Sequence, residues 1–233
     1  MVEKNEELEV KNKQKEVSSS VSKELRDHFG RGPESVFVSL TPCVVVIHIR
    51  NFLSPIESVV MKQEGLKGVE SLREILMKSV LPEIKTKISA SFDIKDFEFF
   101  YDWNIDQKSG MIIGIHWDKI DRQEIEKSFY GAMNQEIRKI SETAEKQPEH
   151  VFTYQVNPRT IISGREGILI RIEKELISLG SGETLQIAKR RLEKRLLNEG
   201  EFNKILGVSV QDIFVHWDFE SDKSIIVFIT DPF

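Results

Sequence analysis

Two short stretches of one pattern decide how this chain is organised: "PESVF" at residues 33–37 and "PEHVF" at residues 148–152. Both read Pro-Glu-x-Val-Phe, and the second follows the first by 115 residues. Further along, "IKDFEFFYDW" at 94–103 aligns with "VSVQDIFVHW" at 208–217, and "MII" at 111–113 with "IIV" at 225–227, both at an offset of 114. Such self-similarity indicates a repeated structural unit. The sequence therefore predicts two copies of one fold.

The composition fits two folded units and argues against several classes of protein. The chain has 233 residues, enough for two units of about 110 residues with separate hydrophobic cores. Its net charge of -5, from 38 acidic and 33 basic residues, does not favour nucleic-acid binding. Cys43 is the one cysteine and begins the apolar run "CVVVI", so we interpret it as a buried hydrophobic residue. No disulfide or cysteine-based zinc site can form within the chain.

The first copy begins with a helix, here called the lead-in helix, which one apolar face predicts. That face recurs every four residues, at Val17, Val21, Leu25 and Phe29. Gly30 is placed to end the helix, and Pro33 prevents it from resuming.

Strands predicted at 36–40 and 44–49 form a hairpin after this helix. A second helix begins at Ser54-Pro55-Ile56-Glu57, a capping box, and breaks near Gly65 and Gly68 before a longer helix continues. Strands at 97–105 and 111–117 close the copy.

The second copy repeats this plan. Its elements are a lead-in helix with Ile125, Phe129, Met133, Ile137 and Ile140 on one face, strands at 151–156 and 159–163, helices at 168–179 and 185–206 around Gly180-Ser181-Gly182, and strands at 213–219 and 224–230. The predicted fold class is α+β: two similar units, each a helix, β-hairpin, helix pair and β-hairpin, with a mainly antiparallel sheet covered by helices on one face. The predicted boundaries are a charged segment at 1–18, disordered or a frayed helix, and units at 19–118 and 119–233.

The stretch "DHFGRGPESV" at 27–36, the valine-rich hairpin, the long helix and the closing "DWNID" at 102–106 together resemble the MpsC family. The resemblance covers residues 20–117 and, more weakly, 130–233. The family takes its name from a sodium-translocating, membrane-potential-generating system. The resemblance implies a small soluble bacterial protein linked to membrane machinery that imports ions or inorganic carbon. It carries over one motif, Gly30-Arg31-Gly32-Pro33.

The candidate ligand site is the turn Gly30-Arg31-Gly32-Pro33. Successive backbone N–H groups in a glycine turn point into one concavity, and the planar guanidinium of Arg31 suits phosphate, carboxylate or bicarbonate. The alternative interpretation is a helix stop with a solvated arginine. The second copy has Glu145-Lys146-Gln147-Pro148 at this place, which argues against an equivalent site there.

Other motifs predict no further site, metal or cofactor. Asp102-x-Asn104-x-Asp106 lacks the later residues of a calcium loop and is interpreted as an exposed strand face. His48 and His116 lack the spacing of paired metal ligands. Catalytic motifs such as Gly-x-Ser-x-Gly are missing, so we lean against an enzyme. The basic run at 189–195 is interpreted as a solvated helix face, with an acidic partner or anionic membrane as the alternative.

The charged amino-terminal segment does not read as an export signal, and no apolar stretch approaches the roughly 20 residues that cross a bilayer. We therefore expect a cytoplasmic protein whose membrane role, if any, is peripheral. The leading functional hypothesis is a non-catalytic binding or regulatory protein that docks to a partner, with transport machinery as the candidate. The fused copies form a pseudo-dimer, and further homo-oligomerisation stays open. The alternative is a sensor or enzyme for phosphate, nucleotide or bicarbonate that uses the glycine turn.

Overall fold

The structure, a computed structural model, describes residues 2–92, 95–120 and 130–232, with side chains from residue 8 onward. It groups the chain into two compact units: residues up to 99 with 103–117, and residues 100–102 with those from 118 onward. The helices are accompanied by two four-stranded antiparallel sheets in two similar halves. The predicted α+β class and the predicted internal repeat are therefore confirmed.

The first sheet has the strand order β1-β2-β4-β3 and is built from two hairpins. The elements of this half are α1 (Val2–Phe29), β1 (Ser35–Leu40), β2 (Val44–Arg50), α2 (Pro55–Phe92), β3 (Glu98–Asn104) and β4 (Ser109–Ile115), followed by a short 3-10 helix (Trp117–Lys119). The two hairpins meet through β2 and β4, where Val44 pairs with Ile115 and Ile47 with Ile112. This antiparallel contact places β-branched side chains in the centre of the sheet.

The second sheet repeats this order as β5-β6-β8-β7. The elements of this half are α3 (Gly131–Ala144), β5 (His150–Asn157), β6 (Thr160–Glu166), α4 (Arg171–Ser178), α5 (Gly182–Glu199), α6 (Phe202–Leu206), β7 (Val210–Asp218) and β8 (Lys223–Thr230). The central contact is again between the second and fourth strands, with Ile161 opposite Phe228. Two residues of the predicted lead-in face, Ile125 and Phe129, lie outside the described residues.

Both halves bury those apolar residues of the predicted lead-in faces that the structure describes. All four lead-in positions of α1, from Val17 to Phe29, are at most 4% exposed. Met133, Ile137 and Ile140 of α3 belong to the apolar core of the second half. Among the described residues, no helix combines the length and apolar character needed to cross a bilayer.

The long helices break at glycine, as predicted for the first half and earlier than predicted for the second. Gly65 interrupts α2 with φ 69°, a left-handed conformation that glycine adopts without strain. In the second half, the single helix predicted over 185–206 is wrong. It divides at Gly200, where an added Cβ would lie 2.7 Å from the Phe202 ring and 2.9 Å from Ile140. Gly200 therefore lets α6 pack closely against α3.

Candidate functional site

The turn between α1 and β1 places the predicted residues together at the surface. Gly30 ends the helix by donating its N–H to the carbonyl of Arg26 at 2.9 Å, with φ 74°. Arg31 is exposed, and its Nη1 donates to the carbonyl of Leu53 at 3.4 Å. Gly32 lies against a second guanidinium, since a Cβ there would be 3.2 Å from Nε of Arg26. The turn is thus flanked by two arginines, and it also performs the helix-ending role of the alternative interpretation.

Pro33 is the last residue of the turn and lies two residues before β1. It is half-buried, and the next residue, Glu34, donates its backbone N–H to the carbonyl of Arg50 at 3.2 Å. This bond extends the β1–β2 pairing by one residue toward the turn, so the turn is anchored by the helix on one side and by the sheet on the other. The four predicted residues thus form one short, fixed connection.

The capping box at the start of α2 forms as predicted. Glu57 accepts the backbone N–H of Ser54 at 2.6 Å, and the Ser54 hydroxyl accepts the N–H of Glu57 at 3.3 Å. The Glu57 side chain has no exposed surface. A carboxylate in such a position requires a cation beside it, because an isolated buried charge is strongly unfavourable.

That cation is Arg73, a buried residue that sequence reasoning missed. Its Nε lies 2.5 Å from Glu57 Oε1, and its Nη2 donates to the carbonyl of Phe52 at 2.9 Å. The guanidinium lies 4.4 Å from the ring centroid of Trp103, within the range of a cation–π contact. Burial lowers the pKa of Arg73, while the Glu57 hydrogen bond opposes that shift. We call Glu57, Arg73 and Trp103 the charged centre of the first half.

The second half contains the same charged centre, made of Glu173, Lys189 and Trp217. Glu173 accepts the backbone N–H of Ile170 at 3.0 Å and lies 2.9 Å from Lys189 Nζ. Lys189 Nζ lies 5.6 Å from the Trp217 ring centroid. In each half the acid and the cation are sixteen residues apart. That shared spacing, together with the tryptophan, is the signal in the sequence that could have revealed both centres.

The connection after the lead-in helix is one residue longer in the first half, which accounts for a glycine turn in only one copy. The inward faces of the lead-in helices align at an offset of 116 residues: Val17, Val21, Leu25 and Phe29 correspond to Met133, Ile137, Ser141 and, at the residue that caps the helix, Glu145. From Phe29 to Pro33 there are three intervening residues, whereas from Glu145 to Pro148 there are two. The first half thus has a turn that is one residue longer. Gly30 accommodates that longer turn with its positive φ, while Glu145 has φ -151° and needs no glycine.

Phe29 and Glu145 give the two centres different chemistry. The Phe29 ring packs edge-on against Phe52, with centroids 5.1 Å apart, so aromatic rings surround Arg73. Glu145 instead forms an ion pair with Lys189, which therefore contacts two carboxylates. Burial, followed by repulsion from Glu193, raises the pKa of Glu145 to about 7. The second half therefore contains a carboxyl group that titrates near neutral pH.

Two predictions about exposed charge are wrong at particular residues. Lys189 and Arg190 of the basic run are 3% and 4% exposed, whereas Arg191 and Arg195 are exposed as predicted. Within the second compact unit, Arg190 Nε lies 2.9 Å from Asp102 Oδ1, so Asp102 is fully buried rather than on an exposed strand face. Charge-rich helices and alternating strands are usually solvated, and only tertiary pairing overrides that expectation here.

The two histidines considered as metal ligands are not brought together. His48 pairs with Met111 in the β2–β4 ladder, whereas the backbone N–H of His116 bonds to Cys43 beyond the other end of β2. Burial, with a smaller contribution from Arg50, lowers the pKa of His48 to about 4. His48 is therefore a neutral, half-buried side chain near pH 7.

The chain matches one family model, described as the Na+-translocating membrane potential-generating system (MpsC), over residues 9–116 and again over residues 122–232. The chain belongs to the MpsC family. The two matched ranges are tandem MpsC units, which confirms both the resemblance and the duplication inferred from the sequence. Comparisons with curated proteins and with solved structures found no match. The charged centre is thus a feature shared by both MpsC units of this chain.

Proposed function

We propose that this MpsC-family chain is a non-catalytic accessory protein that binds a protein component of ion- or inorganic-carbon-transport machinery. The supporting observation is an apolar helix face that both halves expose at corresponding places. The family description, which refers to sodium translocation, suggests the kind of machinery to which the partner belongs.

The first apolar face lies at the start of α2 and consists of Ile56 and Val59, which are 61% and 56% exposed. The second lies on α4 and the residue that caps its end, and it consists of Ile172, Leu176 and Leu179, which are 61%, 36% and 72% exposed. Glu57 accepts the N–H of Ser54, and Ile56 follows Ser54 by two residues. Glu173 accepts the N–H of Ile170, and Ile172 follows Ile170 by two residues, so the two faces begin at matching positions. An i, i+4, i+7 set such as that on α4 matches the anchors of a helix that binds in an apolar groove.

The charged centres support a binding role rather than a catalytic one. Arg73 and Glu57 satisfy each other's charge, and Lys189 is held by Glu173 and Glu145. The side chains of all five residues are less than 9% exposed. A substrate in solution therefore has little access to these groups, whose evident role is to fix the helix that presents each apolar face.

The proposal is tested by placing charge on the second face. Ile172→Asp with Leu176→Asp should abolish binding to the partner, because a carboxylate cannot enter an apolar groove without a cation. The matched control is Glu175→Lys, which changes an exposed residue of the same helix. Sodium-dependent membrane potential would be followed with a voltage-sensitive dye in cells that lack the protein and carry each variant. A photo-crosslinker at position 179 would identify the contacted protein.

We expect the wild-type and Glu175→Lys proteins to restore the potential and the double variant to fail while retaining its far-ultraviolet circular dichroism. Crosslinks at position 179 should identify a transport component. Full restoration by the folded double variant, or crosslinks to no transport component, would contradict the proposal.

A second candidate function is the binding of a small anion at the Gly30–Pro33 turn. The observation that favours it is the pair of exposed guanidinium groups, Arg26 and Arg31, that flank Gly32. Paired guanidinium groups suit a bidentate oxyanion. Calorimetry with phosphate, nucleotides and bicarbonate should show binding that Arg31→Ala removes. Arg159→Ala, at an exposed arginine in the β5–β6 turn, should leave it unchanged. No heat of binding with the unmutated protein would eliminate this function.

A further inference from the structure

A cluster of metal-ligating side chains lies between α1 and α2, away from the charged centre and from both apolar faces. Glu24 and His28 are one helical turn apart on α1, and Glu83 comes from α2. One ligand atom from each residue can be chosen so that all three lie within 4.8 Å of one another. We call these residues the α1–α2 triad. They were not singled out in the sequence because Glu83 is distant along the chain.

The orientation of the His28 ring leaves one nitrogen available as a ligand. Nδ1 lies 3.0 Å from the backbone carbonyl of Glu24, and a carbonyl can only accept, so Nδ1 carries the proton. In the neutral ring, Nε2 then has a lone pair, and it lies 3.7 Å from Glu83 Oε1. This separation is too long for a hydrogen bond but suits two ligands of one cation at about 2.1 Å from each. A protein carbonyl that fixes the other ring nitrogen is common behind metal-bound histidine.

The charges around the triad favour a divalent cation. Glu24 forms an ion pair with Lys87, so the two carboxylates and one ammonium together carry a net charge of -1. One oxygen of the Glu24 carboxyl lies within 4.8 Å of one oxygen of the Glu83 carboxyl. Two carboxyl groups this close repel unless a proton or a cation lies between them. Glu24 Oε2 is 4.0 Å from His28 Nδ1, while Lys87 contacts the other oxygen.

The second half indicates that the fold does not require two of these side chains, Glu24 and His28. At an offset of 116 residues, Glu24 and His28 correspond to Ile140 and Ala144. Ile140 is 6% exposed and packs in the apolar core of that half. The same helix position is therefore filled by a hydrocarbon in one unit and by a buried carboxylate in the other. A role in ligand binding accounts for a charge that packing alone does not need.

From this geometry we propose that Glu24, His28 and Glu83 form a binding site for a divalent transition metal, with Zn2+ as the best match. One imidazole and two carboxylates are ligands that zinc accepts, whereas Mg2+ and Ca2+ prefer oxygen ligands alone. Glu83 is 51% exposed, which leaves the solvent side open for a water as a fourth ligand. The bound metal would join α1 to α2 within the first unit.

The test is calorimetric titration of metal-free, untagged protein with Zn2+. We expect one zinc ion per chain with a dissociation constant of about 10 µM or lower. His28→Gln and Glu83→Gln should each weaken binding at least tenfold by removing a ligand. The matched control is His150→Gln, which changes an exposed histidine of the second half and should leave the affinity unchanged. Mg2+ should give no comparable binding.

Thermal unfolding provides a second readout. Saturating Zn2+ should raise the melting temperature of the wild-type and His150→Gln proteins but not that of His28→Gln, because binding to the folded state alone stabilises it. A zinc dissociation constant above about 100 µM, or equal affinity in the folded wild-type and His28→Gln proteins, would overturn the assignment.

Discussion

Phe29 and Glu145 occupy matching positions on the two lead-in helices, and each decides the environment of the cation behind it. Phe29 packs on Phe52, and Arg73 has one carboxylate partner, Glu57. Glu145 is a second carboxylate partner of Lys189, in addition to Glu173. This one position thus decides whether the buried cation is surrounded by aromatic rings or paired with a titratable carboxyl group. The pH dependence of stability should therefore differ between the two halves.

Replacing Glu145 with glutamine should flatten that pH dependence. The folded-state pKa of Glu145, about 7, lies above its ordinary value of 4.5, so the folded protein binds this proton more tightly than the unfolded chain. Stability from this group is full below pH 4.5 and is lost as pH rises to about 7. Between pH 5 and pH 8 the wild type should lose about 2 kcal/mol more free energy of unfolding than Glu145→Gln.

Urea unfolding at each pH measures this difference. The control is Glu142→Gln, an exposed position on the same helix, which should keep the wild-type slope. Parallel slopes for Glu145→Gln and the wild type would show that the carboxyl is ionised throughout this pH range.

Gly30 permits a second prediction at the scale of one residue. An alanine there meets no atom within 4 Å, yet it must adopt φ 74°, which costs a residue with a Cβ about 1 kcal/mol. Gly30→Ala should therefore lower the free energy of unfolding by about that amount. Gly131→Ala, where a Cβ also meets nothing and φ is not positive, should not destabilise the protein. Equal effects of the two substitutions would mean that backbone conformation at Gly30 does not matter.

At the scale of secondary-structure elements, the buried carboxylate of each capping box connects the start of one helix to a cation sixteen residues later. In the first half, Glu57 and Arg73 both belong to α2. In the second half, Glu173 lies on α4 and Lys189 on α5. The ion pair therefore spans the break at Gly65 in the first half and the break at Gly180 in the second. It fixes two helical segments that glycine would otherwise leave free to reorient.

Removing the cation from the first centre should destabilise the protein strongly. Arg73→Met leaves the Glu57 carboxylate buried without a partner, which costs about 3–5 kcal/mol. Arg73→Lys should cost clearly less, because Lys189 already fills the matching position in the second half. The free energy of unfolding in urea, followed by tryptophan fluorescence, separates the two variants. Similar losses for methionine and lysine would show that side-chain shape, rather than charge, stabilises this centre.

The elements show how far the sequence alone could lead. Ser54-Pro55-Ile56-Glu57 predicted its helix start correctly because a capping box is formed by residues within one turn. The lead-in faces were predictable for the same reason, since periodicity reports burial directly. The partner of Glu57 was not predictable, because a helical arginine has the same local pattern whether it faces solvent or a buried acid. Lys189 and Asp102 were misinterpreted for this reason.

The same limit applies to the candidate sites. The glycine turn is contiguous, so its placement beside Arg31 followed from sequence. The α1–α2 triad joins residues 28 and 83, and the side chains of Glu24 and Glu83 look like ordinary helix-surface acids until the two helices are packed together. Contacts between distant segments carry the information that local patterns lack.

At the scale of the whole molecule, each half has its own apolar core around the contact between its second and fourth strands. β2 and β4 in the first half are matched by β6 and β8 in the second, and the central residues of all four strands are buried. Ladder hydrogen bonds of this kind open only when the surrounding core does. Each half should therefore have its own set of strongly protected amides.

Hydrogen exchange measured by mass spectrometry or NMR tests this expectation. Amides of the four central strands should exchange slowest, and those of the short, exposed helix α4 should exchange much faster. The amides of α4, measured in the same sample, provide the fast-exchanging reference against which the strand amides are compared. Slow exchange confined to one half would mean that the other lacks a stable core of its own.

The matched spacing of acid, cation and tryptophan bears on how such a gene can recombine. Suppose a crossover between the two copies falls between the acid and the cation, joining Glu57 to the segment that carries Lys189. The resulting single-unit protein still receives one buried acid, one buried base and the tryptophan that follows them. Contraction to one copy by an exchange at this point would thus leave the charged centre itself with one acid and one cation.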